Sequence, residues 1–111
     1  MNDIGQTAME KAVLAKLHDL YKAEGFPAAE SVRILRRENT GGGRYVDIAA
    51  DEEVLREDGY IDLGGSFIEM SGVPNGMMAV VFLQGRRLRR LEFTVYGGDH
   101  WNGEEQEWRI V

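Results

Sequence analysis

The sequence predicts an α+β fold, in which an N-terminal amphipathic helix packs on a mainly antiparallel β-sheet meander. Near the N-terminus, a helix-capping signal precedes apolar residues at helical spacing. From Ser31 onwards, short segments of alternating apolar and polar residues are separated by turn-forming residues, and 14 glycines in 111 residues supply many tight turns. This length suits one hydrophobic core, so we expect a single α+β domain over residues 1–111.

The helix is predicted over about residues 7–24. Thr7 and Glu10 have the spacing of a capping box, in which the hydroxyl and the carboxylate each accept a hydrogen bond from a backbone N–H of the first turn. Gly25 can adopt the left-handed conformation that ends a helix, and Pro27 prevents continuation. The apolar stripe that we expect to face the core consists of Met9, Val13, Leu17, Leu20 and Tyr21.

The segment from residue 31 to 50 predicts two strands joined by a glycine-rich hairpin, because apolar and polar residues alternate on both sides of turn residues 39–43. A short helix over residues 28–37, opened by the preceding proline, is the alternative.

Residues 51–56 predict one or two helical turns. Asp51 is the expected cap, acidic residues occupy the first turn, and Gly59 ends the element.

Four further strands follow, and turn-forming residues separate them. The strands are predicted at residues 60–63, 67–70, 77–83 and 91–96, with turns at 64–65, 74–76 and 84–85. The strand at 77–83 is continuously apolar, so we expect it to be central in the sheet and covered on both faces.

The strand at 91–96 has two distinct faces. Leu91, Phe93 and Val95 are predicted to face the core, while Glu92, Thr94 and Tyr96 face an open surface or line a cleft. A short edge strand is predicted at 108–111. Residues 97–107 then form an exposed connection.

A resemblance to known proteins is carried by residues 72–98, GVPNGMMAVVFLQGRRLRRLEFTVYGG. The segment resembles the central hairpin of small uncharacterised bacterial α+β proteins, in which a G-V/L-P turn leads to an apolar strand and then to a G-x-L-x-x-L-E turn and strand. Some of those proteins look like the immunity components of bacterial toxin systems, so the resemblance implies an α+β fold and a protein-binding function. It implies no catalytic residue. This chain differs from the pattern by one extra residue between Gly85 and Leu88.

Composition and charge narrow the classes of function. The net charge is −6, and acidic residues outnumber basic ones in both halves of the chain, which disfavours nucleic-acid binding and favours a basic protein partner. The absence of cysteine excludes disulfides and cysteine-based catalysis. We see neither a basic head followed by an apolar run nor a stretch long enough to cross a membrane, so we expect no membrane association and a cytoplasmic location.

The segment YGGDHWNGEEQEW, residues 96–108, concentrates the side chains that could carry chemistry. Asp99 and His100 could form a general acid and base pair, but adjacent residues point apart on an extended chain, so a connecting loop is the favoured interpretation. His100 with Asp99 and the nearby glutamates has no recognised metal-ligand spacing, and we expect neither a metal nor a cofactor. The glycine-rich residues 39–44 lack the lysine and hydroxyl residue of a phosphate loop.

Eight arginines lie in two runs. If the hairpins that carry them are neighbours, they could form an anion-binding patch, but we favour exposed strand edges and pairing with the abundant acids. The two runs are Arg33, Arg36, Arg37 and Arg44, and Arg86, Arg87, Arg89 and Arg90.

The favoured functional hypothesis is a non-catalytic protein-binding module, an immunity-like inhibitor of a basic toxin or nuclease. Its contact face is predicted to combine acidic residues with aromatic anchors. The residues of this face are Tyr60, Trp101, Glu104, Glu105, Glu107 and Trp108.

Two alternatives come from other classes. The first is a small-molecule-binding protein or minor enzyme, whose cleft would have Glu92, Thr94 and Tyr96 as its floor and Asp99 and His100 at its rim. The second is a homo-oligomeric scaffold protein, such as a homo-dimer formed through exposed edge strands.

Overall fold

The N-terminal helix forms where the sequence predicts it. In the computed structural model, which describes residues 4–111, α1 spans Ala8–Tyr21 and a single 3₁₀ turn follows at Lys22–Glu24. The capping box is present: the Thr7 hydroxyl accepts from the Glu10 N–H, and the Glu10 carboxylate accepts from the Thr7 N–H. Gly25 ends the helix with a φ of 88°.

The buried stripe of α1 differs from the predicted one at both ends. Leu20 is exposed and Tyr21 is only partly buried, whereas Leu14 and the charged Glu10 lie in the interior. The apolar period therefore located the helix, but it did not reveal that a carboxylate shares the buried face.

Seven strands form one antiparallel sheet in the described part of the chain, which confirms the α+β class. Their bounds are β1 Arg33–Asn39, β2 Gly43–Ala49, β3 Gly59–Asp62, β4 Ile68–Met70, β5 Val73–Gln84, β6 Arg87–Val95 and β7 Trp108–Ile110. The order is β1-β2-β6-β5-β4-β7, and β3 pairs with the second half of β5 beyond β4. Because β2 pairs with β6, the two hairpins are neighbours and the sheet is not a simple meander.

Two predicted local elements are settled by tertiary contacts. Residues 28–37 contain only one 3₁₀ turn, Ala29–Ser31, before β1, so the strand interpretation is confirmed. The helical turns predicted at 51–56 are wrong. The N–H of Val54 donates to the carbonyl of Arg86, and the N–H of Leu55 donates to that of Glu24, so these groups bond to distant segments instead of forming a helical turn.

The turn predicted at residues 74–76 is also wrong, because these residues form the start of the long strand β5 and the turn lies at Ser71 and Gly72. The β5–β6 hairpin closes through Gly85 and Arg86, with φ of 60° and 61°, the left-handed pair that a two-residue type I′ turn requires. A register shift beyond this turn leaves Arg89 without an opposite residue on β5.

The sheet has a core face and an open face. Helix α1 and the core cluster cover the first, while the side chains of Met78 and Phe82 on the second are only partly buried. Val80 is 7% exposed yet lies outside the core cluster, so its neighbours on the open face alone cover it. Strand β5 is therefore central, but the prediction that an element covers both of its faces is wrong. The thin dimension of the protein, 20 Å, matches one helix layer on one sheet layer.

Within residues 4–111, the α-helix of 14 residues is too short to cross a membrane, and no helix has the length and apolarity that a span needs.

The carboxylate of Asp58 supports the β5–β6 turn and gives a test by pH. It accepts from the N–H groups of Arg86 and Gly85 at 2.8 and 2.9 Å, and these bonds hold the pKa of Asp58 below its ordinary value of 3.8. A lowered folded-state pKa stabilises the protein above the unfolded-state pKa, and the contribution disappears as the pH falls through the folded-state value. We expect the amide resonances of Gly85 and Arg86 to shift with a midpoint below 3.8.

Asp58→Asn is the control for this titration, because it removes the ionisable group and should abolish the transition. A midpoint at or above 3.8 in the wild-type protein would contradict the assignment.

Candidate functional site

The middle of the segment between β6 and β7 is buried in the protein. Trp101 is 3% exposed, and its indole N–H donates to the carbonyl of Glu104 at 2.7 Å. The backbone N–H of Trp101 donates to the carbonyl of Gly41 in the β1–β2 turn. The Arg44 guanidinium lies 4.7 Å from the centre of the indole ring. The tryptophan therefore joins the segment to the first hairpin.

Beside Trp101 lies a group of four charged residues, Glu10, Arg37, Arg44 and Glu105, which we call the Glu10–Arg44 network; Glu10 and Arg44 are buried, and Arg37 and Glu105 are partly buried. Glu10 is 0% exposed and receives two bonds of 2.6 Å from Arg37, which raise the pKa of that guanidinium. Arg44 donates to Glu10 at 3.2 Å and to Glu105 at 2.7 Å. Buried charges are tolerated only when they are paired and hydrogen-bonded, and both conditions hold here.

The network connects four parts of the chain. Glu10 belongs to α1, Arg37 to β1 and Arg44 to β2, while Glu105 belongs to the segment before β7. Glu105 also accepts from the N–H of Met9 in the first turn of α1, which binds the segment to the helix N-terminus.

The six-residue contact face predicted from the sequence is not assembled. Trp101 is buried, Glu105 is partly buried and bonded to Arg44, and Trp108 packs partly against the core. Of the remaining three, Glu104 and Glu107 are exposed, but Tyr60 pairs with Phe82 at the far half of β5. Five residues of β5, or about 17 Å, separate that position from the residues that pair with β4.

Asp99 and His100 do not form an acid and base pair. The Asp99 carboxylate accepts from the backbone N–H of Asn75 at 3.0 Å and from its side-chain amide at 3.3 Å, whereas His100 is exposed beside Gly41. Among residues 4–111, no group of three or more histidine, aspartate and glutamate side chains is arranged to hold a metal ion.

The arginines of the first run are paired individually. Arg33 pairs with Asp51 and Arg36 with Glu38, and the other two belong to the Glu10–Arg44 network. In the second run Arg90 is paired, and Arg86, Arg87 and Arg89 are exposed around the β5–β6 turn. Although the hairpins are neighbours, the eight guanidinium groups form no common patch.

The open face carries the exposed aromatic residues. Tyr45, Tyr60 and Tyr96 are 40%, 63% and 41% exposed. The ring centre of Phe82 on β5 lies 6.0 Å from that of Tyr60. The alternation predicted for residues 91–96 is correct, since the odd-numbered residues are buried and the even-numbered ones lie on this face. In the central part of β2, β3, β5 and β6, with Tyr96 just beyond β6, the outward side chains are Tyr45, Asp47, Tyr60, Asp62, Met78, Val80, Phe82, Arg90, Glu92, Thr94 and Tyr96. Arg36 and Glu38 of β1 and Arg87 of β6 lie on the same face beside them.

Arg90 interacts with three neighbouring side chains of this face. It bonds to Asp47 at 3.2 Å and lies 3.7 Å from Glu92, and its guanidinium is 5.1 Å from the centre of the Tyr45 ring. With Asp62, the central part of this face has three carboxylates and one guanidinium, and Arg33, Arg36, Glu38 and Arg87 lie around it on the same face.

Two clefts lie at one end of the open face and meet at Phe67 and Asn75. The larger, of about 770 Å³, extends from Phe67 and Asn75 across Glu69 to Glu107, Trp108 and Arg109. The smaller, of about 310 Å³, is bounded by Asp62, Ser66, Met78 and Tyr96. A third cleft, of about 290 Å³, contains His100 on the other side of the β4–β5 turn. The sequence indicated neither Phe67 nor Asn75 as site residues, because both are brought to the clefts by the pairing of β4 and β5.

Comparisons with protein-family models, curated proteins and solved structures find no match to this chain.

Replacing Arg44 tests the network. Arg44→Met leaves Glu10 and Glu105 without a shared cation, and removing one partner from a buried pair costs about 3–5 kcal/mol. We expect the free energy of unfolding, measured by urea denaturation, to fall by about that amount. The near-ultraviolet circular dichroism of Trp101 should be lost at a lower urea concentration than in the wild-type protein.

The matched control is Arg36→Met, which removes an exposed arginine paired with Glu38. Its effect should stay within about 1 kcal/mol. Equal effects of the two substitutions would show that the network contributes no more than a surface ion pair.

Proposed function

We propose that this protein is a non-catalytic binding module that presents its open face to a basic protein partner and acts as an immunity-like inhibitor of that partner. The observation that supports the proposal is the exposure of Tyr45, Tyr60 and Tyr96 on one sheet face that no second layer covers. Tyrosine offers a large contact area at small conformational cost and retains a hydroxyl for hydrogen bonding, so it is common where proteins bind one another.

The surface between the tyrosines supports the same proposal. Val80 and Phe82 form an apolar centre, and Asp47 and Glu92 lie beside it with Arg90 between them. An apolar centre surrounded by polar groups is the usual arrangement of a protein interface. The four-strand face belongs to a protein with extents of 36 by 32 Å, and a standard interface needs about 800 Å² on each partner.

Charge favours a basic partner. The chain has a net charge of −6, and the centre of the open face carries Asp47, Asp62 and Glu92 with one arginine, Arg90. Opposite charge raises the association rate and excludes acidic competitors. A nuclease suits this description because it must attract polyanionic nucleic acid, and covering its active surface would inhibit it without chemistry on the inhibitor's side.

The small-molecule or enzyme alternative has less support, because the Asp99 carboxylate is bound to Asn75 and not to His100. A homo-dimer through exposed edge strands is the competing protein-binding alternative, and the experiment below distinguishes it by mass.

The proposal is tested by placing a photocrosslinking amino acid at position 60 and exposing the tagged protein to a lysate of its source. We expect a crosslink to one basic protein at a ratio of one to one. With that protein purified, Tyr60→Ala combined with Tyr96→Ala should raise the dissociation constant about tenfold or more. This is roughly the effect of losing one interface hot spot. Raised salt should slow association, and inhibition of the partner's activity should follow its occupancy.

The control position is Leu55, which is exposed on the loop between β2 and β3. Crosslinks should not form from position 55, and Leu55→Ala should leave the affinity unchanged. Crosslinking only to a second copy of this chain, with a dimeric mass, would replace the proposal with the homo-dimer.

A further inference from the structure

The two clefts that meet at Phe67 and Asn75 form one groove across the sheet. The larger is lined by residues of β7, β4 and the start of β5, and the smaller reaches Tyr96 just beyond β6. These strands are consecutive in the sheet. At a spacing of about 4.8 Å between strands the groove spans about 14 Å, the length of about four residues in an extended chain.

The two residues at the centre of the groove are held in place by the surrounding backbone. Asn75 is fixed through its backbone and side-chain N–H groups by the carboxylate of Asp99. A Cβ atom at Gly97 would lie 2.6 Å from the side-chain nitrogen of Asn75, and one at Gly76 would lie 3.0 Å from the ring of Phe67. Glycine at both positions therefore permits this close approach, and both have positive φ.

The polar atoms of the groove are mainly acceptors. The side-chain nitrogen of Asn75 faces the Asp99 carboxylate, and its carbonyl oxygen is an acceptor that it can offer to a ligand. Glu69 is paired with Arg109 at 2.7 Å, which leaves Glu107 in the larger cleft and Asp62 in the smaller. In the described part of the chain, no arginine, lysine or histidine lies within ion-pair distance of Asp62 or Glu107.

Apolar groups flank these acceptors. Phe67 lines both clefts, Trp108 and Pro74 line the larger one, and Met78 and Tyr96 line the smaller. Aromatic and aliphatic walls suit the methylene stem of arginine or lysine, and Tyr96 offers a ring face to the cation itself.

We propose that this groove binds an extended segment of about four residues with a basic side chain near each end, one in each cleft. The segment would belong to the basic partner, so the inference rests on the proposed function and specifies how part of that partner is recognised. Asp99 then acts as a positioning residue, because it holds Asn75 where the segment crosses between the clefts.

The probe that tests the groove is the peptide acetyl-Arg-Ala-Ala-Arg-amide, with acetyl-Glu-Ala-Ala-Glu-amide as its charge-reversed control. Binding is followed by the backbone amide resonances of the labelled full chain. We expect the basic peptide to shift resonances of residues 62–78, Tyr96 and 107–109, and the acidic peptide to shift none of them. Equal shifts with both peptides, or shifts confined to other residues, would overturn the inference.

Charge-neutral variants separate the groove from the overall charge. Asp62→Asn combined with Glu107→Gln should raise the dissociation constant of the basic peptide about fivefold or more, as expected for the loss of two exposed ion pairs. The Asp62→Asn substitution retains a side-chain oxygen for the bond that Asp62 accepts from the N–H of Gly64. The matched control is Glu52→Gln with Glu57→Gln, which changes two exposed carboxylates of the β2–β3 loop by the same charge and should leave the affinity unchanged. Equal losses from the two pairs would overturn the inference.

The role of Asp99 has its own test. Asp99→Ala should weaken peptide binding and speed hydrogen exchange at the N–H of Asn75, while Asp99→Asn, which keeps an acceptor oxygen, should restore both in large part. Failure of Asp99→Asn to restore binding would overturn the positioning role.

The two proposals fail separately. If a partner crosslinks at position 60 but the basic peptide does not bind, the groove inference is overturned and the proposed function stands. If the basic peptide binds but no partner is crosslinked at position 60, the groove inference is supported and the proposed function is overturned.

Discussion

The buried carboxylate of Glu10 is the constraint on which the rest of the structure depends. An ionised group without solvent must have partners, and Arg37 and Arg44 supply them from two neighbouring strands. Arg44 in turn requires Glu105 and Trp101, which draws the connection between β6 and β7 against the first hairpin. One buried charge thereby fixes the helix, the hairpin and the longest connection relative to one another. Such a network specifies an arrangement more than it adds stability, because the desolvation of its charges offsets much of their attraction.

The same network decides which surface is left for binding. The most conspicuous segment of the sequence, residues 96–108, has its central tryptophan buried and one of its glutamates, Glu105, bonded to the buried Arg44. The exposed aromatic side chains lie instead on the sheet, where Tyr45, Tyr60 and Tyr96 alternate with inward-facing residues. A sheet with a single helix layer has only one face covered, so the apolar side chains on the other face depend on their neighbours or on a partner for cover.

The connection between β6 and β7 has two structural roles at its two ends. Trp101 and Glu105 contact the buried Arg44. At the other end, Asp99 binds Asn75 and Gly97 leaves room for its side chain, so both position Asn75 in the groove. The residues that looked like an acid and base pair are thus explained by geometry: one carboxylate orients an asparagine, and the adjacent imidazole points elsewhere. If the groove binds a peptide segment as proposed, fixing Asn75 in advance would reduce the entropy lost on binding.

The sequence by itself determined the features that depend on neighbouring residues: the capping box of α1, its end at Gly25 and the alternation of β6. Local sterics and hydrogen bonds decide these, so a short window of residues contains the information. Only the tertiary structure decided that residues 51–56 are not helical, that residues 74–76 continue a strand, that Trp101 is buried and that β2 pairs with β6. Each of these depends on a partner distant in the chain, and the free energy of such contacts outweighs local preferences that differ by only about 1 kcal/mol.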